Sequence, residues 1–168
     1  IRQYDIVEFS NRVGHVGANT IQPLFDDLVF LSDSGVRSLA AVQQYGDFSQ
    51  ACISDKLPEL SDIPKSAPAY ASVVHPTKGQ YWLCVPTDLS GGVNALVYVF
   101  DARGRFLRSI GGGGPDSRLR RPTGIALDRA ARRLYLTDTL RHQVLIFALD
   151  GTLIRAVGRR GSGPGEFN

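Results

Sequence analysis

The chain has 168 residues, 43% of them hydrophobic and 21% charged, with a formal net charge of +3. That is enough for one sizeable core, and the composition excludes a disordered chain, a collagen repeat and a disulfide-dense scaffold. No apolar run approaches the ~20 residues that a helix needs to cross a bilayer, and the opening residues IRQYDIVEFS lack the charged-then-apolar order of a signal peptide.

In chain order, "FDDLVFLSDSGVRSLAAV" predicts a hairpin from Leu28 to Leu31 and Val36 to Val42 around Asp33-Ser34-Gly35. "FSQACISDKLPEL" predicts a short helix, and the three prolines between Leu57 and Pro68 predict a loop. "AYASVVHPTKGQYWLCVP" gives a second hairpin around Pro76 to Gly79, followed by the strand "VYVF" from Val97. Pro122 to Asp128 and Arg133 to Thr137 read as strands around a turn at Arg129 to Arg132. Val144 to Phe147 and Leu153 to Val157 flank Asp150-Gly151 as a further hairpin.

The second half repeats itself. "VYVFDARGRFLRSIGGGGP" from Val97 and "VLIFALDGTLIRAVGRRGSGP" from Val144 align Phe100 with Phe147, Gly104 with Gly151, Arg108 with Arg155 and Gly111 with Gly158, each 47 residues apart. Each period holds four short strands, the signature of a β-propeller blade. The predicted fold is therefore all-β, a partial β-propeller of about three to four four-stranded antiparallel meanders. A chain of this length should not close a ring alone, and it should expose open sheet edges.

Charge divides the chain at the same place. Residues 1–96 carry six Lys or Arg against ten Asp or Glu, and residues 97–168 carry thirteen, all Arg, against six. This predicts two segments, 1–96 and 97–168, of different character or origin, or one continuous propeller segment sharing the "VYVF" strand. The absence of Met predicts a piece cut from something longer, and after Phe167-Asn168 the repeat pattern continues with Pro and another first strand. A natural fusion, a recombined sequence and an assembly artefact all produce this pattern.

"RPTGIALD", "LYLTDTLRHQVLIFALDGTLIRAVG" and "GSGPGEFN" resemble the NHL-repeat family of β-propellers across residues 97–168. Arg141-His142-Gln143-Val144 replaces that family's usual Asn-His-Arg-Val. "VGANTIQPLFDDLVFLSDSGVRSL", "YASVVHPTKGQYWLCVP" and "NALVYVF" resemble the propeller-like hub, nozzle or DNA-stabilising proteins of bacteriophage tails. The first resemblance implies an interaction module, RNA binding among its uses, and a cytoplasmic location; the second implies a structural component of a virion. Some NHL-like propellers are lyases built on metal-binding histidines and a tyrosine, for which only His142 and Tyr135 are available in the matched half.

Candidate chemistry is sparse. Gly111 to Gly114 with Pro115 is followed by no Lys-Ser or Lys-Thr, so it reads as a connection between blades rather than a phosphate loop. His15, His75 and His142 lack metal-ligand spacing, and Cys52 and Cys84 lack a CxxC partner. Asp128, Asp138 and Asp150 follow strands, where a carboxylate caps backbone N–H groups. No catalytic residue, metal or cofactor is expected, Trp82 and Phe147 are expected in the core, and the alternative of a propeller lyase or hydrolase needs two or three clustered histidines. The positive candidate is a polyanion- or partner-binding surface. Arg118, Arg120 and Arg121 occupy one connection and Arg159 and Arg160 the equivalent connection one repeat later, which places all five on one face. The expected partners are proteins or the missing blades, with nucleic acid and self-association through open edges as further options and no membrane.

Overall fold

The computed structural model describes residues 16–32, 35–40, 70–86, 95–112 and 114–168. Among the described residues eleven strands form three antiparallel meanders. The first sheet holds β1 (Gln22–Leu24), β2 (Asp27–Ser32) and β3 (Gly35–Ser38). The second holds β4 (Ala71–His75), β5 (Gln80–Pro86), β6 (Ala95–Asp101) and β7 (Phe106–Ile110). The third holds β8 (Pro122–Asp128), β9 (Arg133–Asp138), β10 (Gln143–Ala148) and β11 (Leu153–Val157). The second sheet takes β4 and β5 from before residue 97, and β6 spans that position.

Face-to-face packing follows from the residue pattern. In β5 and β6 nearly every side chain is apolar, the pattern of strands covered on both sides. Alternation sends Tyr81, Leu83, Val85, Tyr98 and Phe100 toward the first sheet, where they meet Val29, Leu31 and Val36. Trp82, Cys84, Val97 and Val99 point the other way, into a second core with Leu134, Leu136, Leu145 and Phe147 of the third sheet. Trp82 and Phe147 are both fully buried, as expected. β4 lies against β1 on one side and β8 on the other, so the first strands of successive sheets form the inner row of a propeller.

The turns obey local chemistry. Gly151 takes φ +100° between β10 and β11, and a Cβ there would also press on Ile110 at 3.2 Å; glycine is the residue that holds such a backbone without strain. Pro76–Lys78 forms a single 3-10 turn closed by Gly79 at φ +57°. The first hairpin differs from expectation at its far end, because β3 stops at Ser38 rather than running to Val42. Asp27 is the cause: its carboxylate accepts from Ser38 Oγ and from the Ala40 amide at 2.8 Å, drawing the chain out of the ladder. The expected helix before Leu60, the proline loop, His15 and Cys52 lie outside the described residues.

Candidate binding surface

The occupied interface between the second and third sheets shows what a covered blade face requires. Its centre is apolar, and Leu119 from the β7–β8 connection is fully buried in it. Its rim is closed by Arg108, whose Nη2 donates to the Leu149 backbone carbonyl in the β10–β11 turn. The same guanidinium lies 5.3 Å from the centroid of the Trp82 ring, a cation–π stack. At the other end Asp138, 1% exposed, accepts from the backbone amides of Arg120 at 2.6 Å, Arg121 at 3.0 Å and Arg141 at 3.3 Å. Arg141 Nη1 then donates to the carbonyls of Asp116 and Arg118 at 2.9 and 2.8 Å. The β7–β8 connection is thus held by one carboxylate and one guanidinium, and Arg141 stands where the resembled family has asparagine.

The opposite face of the third sheet is open. Tyr135, Val144, Ile146 and Val157 are half-buried there, and Thr137 and Arg155 are exposed. Phe167 curls back over this face although 41% of it remains exposed. Gly158 makes that fold-back possible, since a Cβ at its φ of +98° would fall 2.2 Å from the Phe167 ring. A cleft of about 190 Å³ lies beside the ring, lined by Thr137, His142, Gln143, Val144, Phe167 and Asn168. The buried Oε1 of Gln143 has no hydrogen-bond partner, while its Nε2 donates to the Gly158 carbonyl at 3.3 Å.

The five arginines singled out from sequence lie at one end of the blades, in the β7–β8 connection and the loop after β11, and all five are exposed. Arg141 joins them from the β9–β10 turn. They are not equally available: Arg159 Nε donates to Glu166 at 2.8 Å, an exposed ion pair, whereas Arg118, Arg120, Arg121 and Arg160 make no side-chain ion pair among the described residues. The opposite end carries Lys78, Arg103, Arg105, Arg129, Arg132 and Arg133. Among the described residues of these two sheets, each end therefore holds six basic side chains against three acidic ones.

Asp128 and Asp150 act as turn caps, accepting from the amides of Ala131 and Thr152, both at 2.9 Å. The Thr152 amide and hydroxyl hold the Asp150 carboxyl below the usual carboxylate range. Burial pushes the Cys84 thiol up, with the Asp138 charge adding to it, so it is a poor nucleophile. His75 closes β4 at the end opposite the five arginines, buried, and its Nδ1 has no hydrogen-bond partner. Burial pushes its pKa down, and the charges of Lys78 and Arg129 act in the same sense. Among the described residues no three His, Cys, Asp or Glu side chains come together as a metal site, and no helix is long and apolar enough to cross a membrane.

Sequence reasoning missed Arg108, Arg141 and Arg155. The 47-residue spacing of Arg108 and Arg155 was the available signal. A family model described as DUF5128, a 6-bladed beta-propeller, matches residues 123–168, which is the third sheet and the loop that follows. No curated protein matches the chain. Three stacked antiparallel meanders with their first strands in one inner row, together with that match, make this chain a partial β-propeller.

Proposed function

We propose that the chain is a non-catalytic propeller segment that binds or scaffolds other macromolecules, with the outward face of the third sheet as its main contact. The observation carrying this reading is the contrast between neighbouring faces: the second sheet is covered on both sides, while Tyr135, Val144, Ile146, Val157 and Phe167 stand half-open. Contiguous apolar patches left open to solvent are a mark of interaction sites. His75 and His142 lie at opposite ends of the blades, an arrangement that does not favour the lyase or hydrolase alternative.

The test is sedimentation velocity across a concentration series. The chain should self-associate through its open face, and Ile146→Lys should abolish association without unfolding the protein. A concentration-independent monomer, unaltered by that substitution, would overturn the reading. The finer form, a structural component of a phage tail, rests on the phrases of residues 1–96, and finding phage structural genes beside this gene is its check.

A second reading is favoured by the exposed Arg118, Arg120, Arg121 and Arg160 at one end: binding of a polyanion such as single-stranded RNA, as the NHL resemblance implies. No aromatic side chain interleaves with these arginines in sequence to stack bases. The expected mode is therefore electrostatic, with little sequence preference.

A further inference from the structure

The loop after β11 carries one chemically distinctive segment, Arg159-Arg160-Gly161-Ser162. Arg159, Arg160 and Ser162 are exposed, and the Ser162 hydroxyl makes no hydrogen bond among the described residues. Ser117, in the β7–β8 connection, is built differently: its Oγ donates to the Gly114 carbonyl at 3.0 Å, and an acidic residue, Asp116, precedes it. Two guanidinium groups, two and three residues ahead of an open hydroxyl, make the charge pattern that an acidic substrate groove selects.

The residues on both sides of Ser162 rest on the carboxylate that holds this loop. Glu166 Oε2 accepts from the Gly163 amide at 2.8 Å, and Oε1 accepts from Arg159 Nε at 2.8 Å. The carboxylate is so close that a Cβ at Gly161 would collide with it, and one at Gly163 would come within 3.1 Å. The Gly163 amide, the Arg159 guanidinium and the Ser162 amide together hold the Glu166 carboxyl below the usual carboxylate range. The next residue is tied to the same segment. The Phe167 amide donates to the Arg159 carbonyl at 2.8 Å, and the Gly161 amide donates to the Phe167 carbonyl at 3.1 Å. Residues 159–163 therefore form the strap that keeps the Phe167 ring over the outward face.

We propose that Ser162 is a phosphorylation site for a kinase selective for basic substrates, and that its phosphate frees Phe167 from the outward face. The γ-phosphoryl group of a nucleoside triphosphate passes to Ser162 Oγ. The bond from the γ-phosphorus to its bridging oxygen breaks, the Oγ–P bond forms, the nucleoside diphosphate leaves, and the hydroxyl proton goes to solvent. The product adds a charge of about −1.5 to −2 beside the Glu166 carboxylate, which it repels. The Arg159 side chain is 80% exposed, so its pair with Glu166 is weak, and the phosphate, a stronger acceptor, takes the guanidinium. Glu166 then leaves the Gly163 amide and the strap under Phe167 opens. The site stands on its own residues; only its consequence, a change in a contact surface, rests on the scaffolding reading.

The experiment incubates the folded chain with Mg-ATP and the catalytic subunit of cyclic-AMP-dependent protein kinase as a basic-directed probe. Peptide mass mapping locates the phosphate, and amide hydrogen exchange is followed at Gly161, Gly163 and Phe167. Phosphate should appear at Ser162 and not at Ser117. Arg159→Ala with Arg160→Ala should slow the transfer about tenfold or more, the loss expected when charged hydrogen bonds to the kinase are removed. In the phosphorylated chain the Gly163 and Phe167 amides should exchange about tenfold faster, because the charged acceptor that held the loop has left. Ser162→Ala should abolish both effects. A folded chain left unmodified at Ser162, or one modified there with unchanged exchange at Phe167, overturns the proposal. Neither readout depends on self-association, so failure here is distinguishable from failure of the scaffolding reading in the sedimentation series.

Discussion

Ile146 and Phe147 are consecutive in β10 and face opposite sides, so alanine at each separates the covered face from the open one. Phe147 is fully buried, pairs with Leu134 on β9 and Leu153 on β11, and shares a core with Trp82, Val97 and Val99. Removing such a ring costs about 3–5 kcal/mol, transfer and cavity together. For a chain of this size each kcal/mol moves the midpoint by ~2–4 °C, so Phe147→Ala should lower it by ~6–20 °C. Ile146→Ala deletes three methyl or methylene carbons, worth ~0.8 kcal/mol each if fully covered. Ile146 is only half-buried, so its loss should cost about 1 kcal/mol on that scale. Urea unfolding followed by Trp82 fluorescence measures both, provided the slope with denaturant is unchanged. A cost below about 1 kcal/mol for Phe147→Ala, far under the range for a buried ring, would refute the register assigned to the third sheet. Equal costs at the two positions would refute the distinction between its faces.

Three further outcomes are expected. Cys84 should resist iodoacetamide in the native protein and react on unfolding, since burial both hides its thiol and raises its pKa; native labelling of Cys84 in a peptide map would contradict this. His75 is held below its ordinary pKa mainly by burial, so the unfolded chain binds more protons below pH ~6.5. Stability is then complete above that value and falls as pH drops toward the folded pKa. Urea midpoints at descending pH should show the fall, and His75→Gln should flatten it; identical slopes would place the titration elsewhere. For the basic end, anisotropy titrations with single-stranded RNA or DNA at several salt concentrations should show affinity falling steeply with salt. Arg159→Ala with Arg160→Ala should lower the slope by ~1–2 at ~0.7–0.9 per phosphate, nearer ~1 if the Glu166 pair already engages Arg159. No detectable binding at ~50 mM salt would leave these arginines as solubilising surface.

The repeat was readable because a blade's strands and turns write themselves locally. Alternation, Asp-Gly at the β10–β11 turn and glycine where φ is positive sufficed to place β8 to β11 to within a residue. β3 escaped because its end is set by Asp27, eleven residues before Ser38, and an unbroken apolar run, Leu39 to Val42, continues in the sequence past the point where the strand stops. The clamp of Arg108 was unreadable from one strand alone. Its position over Trp82 depends on the register of β5, β6 and β7, and its acceptor belongs to the next sheet.

The charge pattern shows a different limit. Counting along the chain finds arginines bunched in two connections, which suggests one basic face. Antiparallel meanders send successive turns to alternate ends, so Lys78 after β4, Arg103 and Arg105 after β6, and Arg129, Arg132 and Arg133 around the β8–β9 turn gather at the opposite end into a set of six, as large as the bunched arginines with Arg141. A clustered sequence and a clustered surface are therefore different things in a propeller, and electrostatics alone does not single out an end of this chain. Facing side chains discriminate better. Along the open face Thr137 replaces Cys84 and Tyr135 replaces Trp82, similar shapes that add a hydroxyl. Those hydroxyls lower the cost of meeting water, while the aliphatic pairs Val144–Val157 and Ile146 keep the apolar area that docking needs. A face so composed meets water at lower cost while keeping apolar area for a contact, the combination that the proposed binding or scaffolding role asks of it.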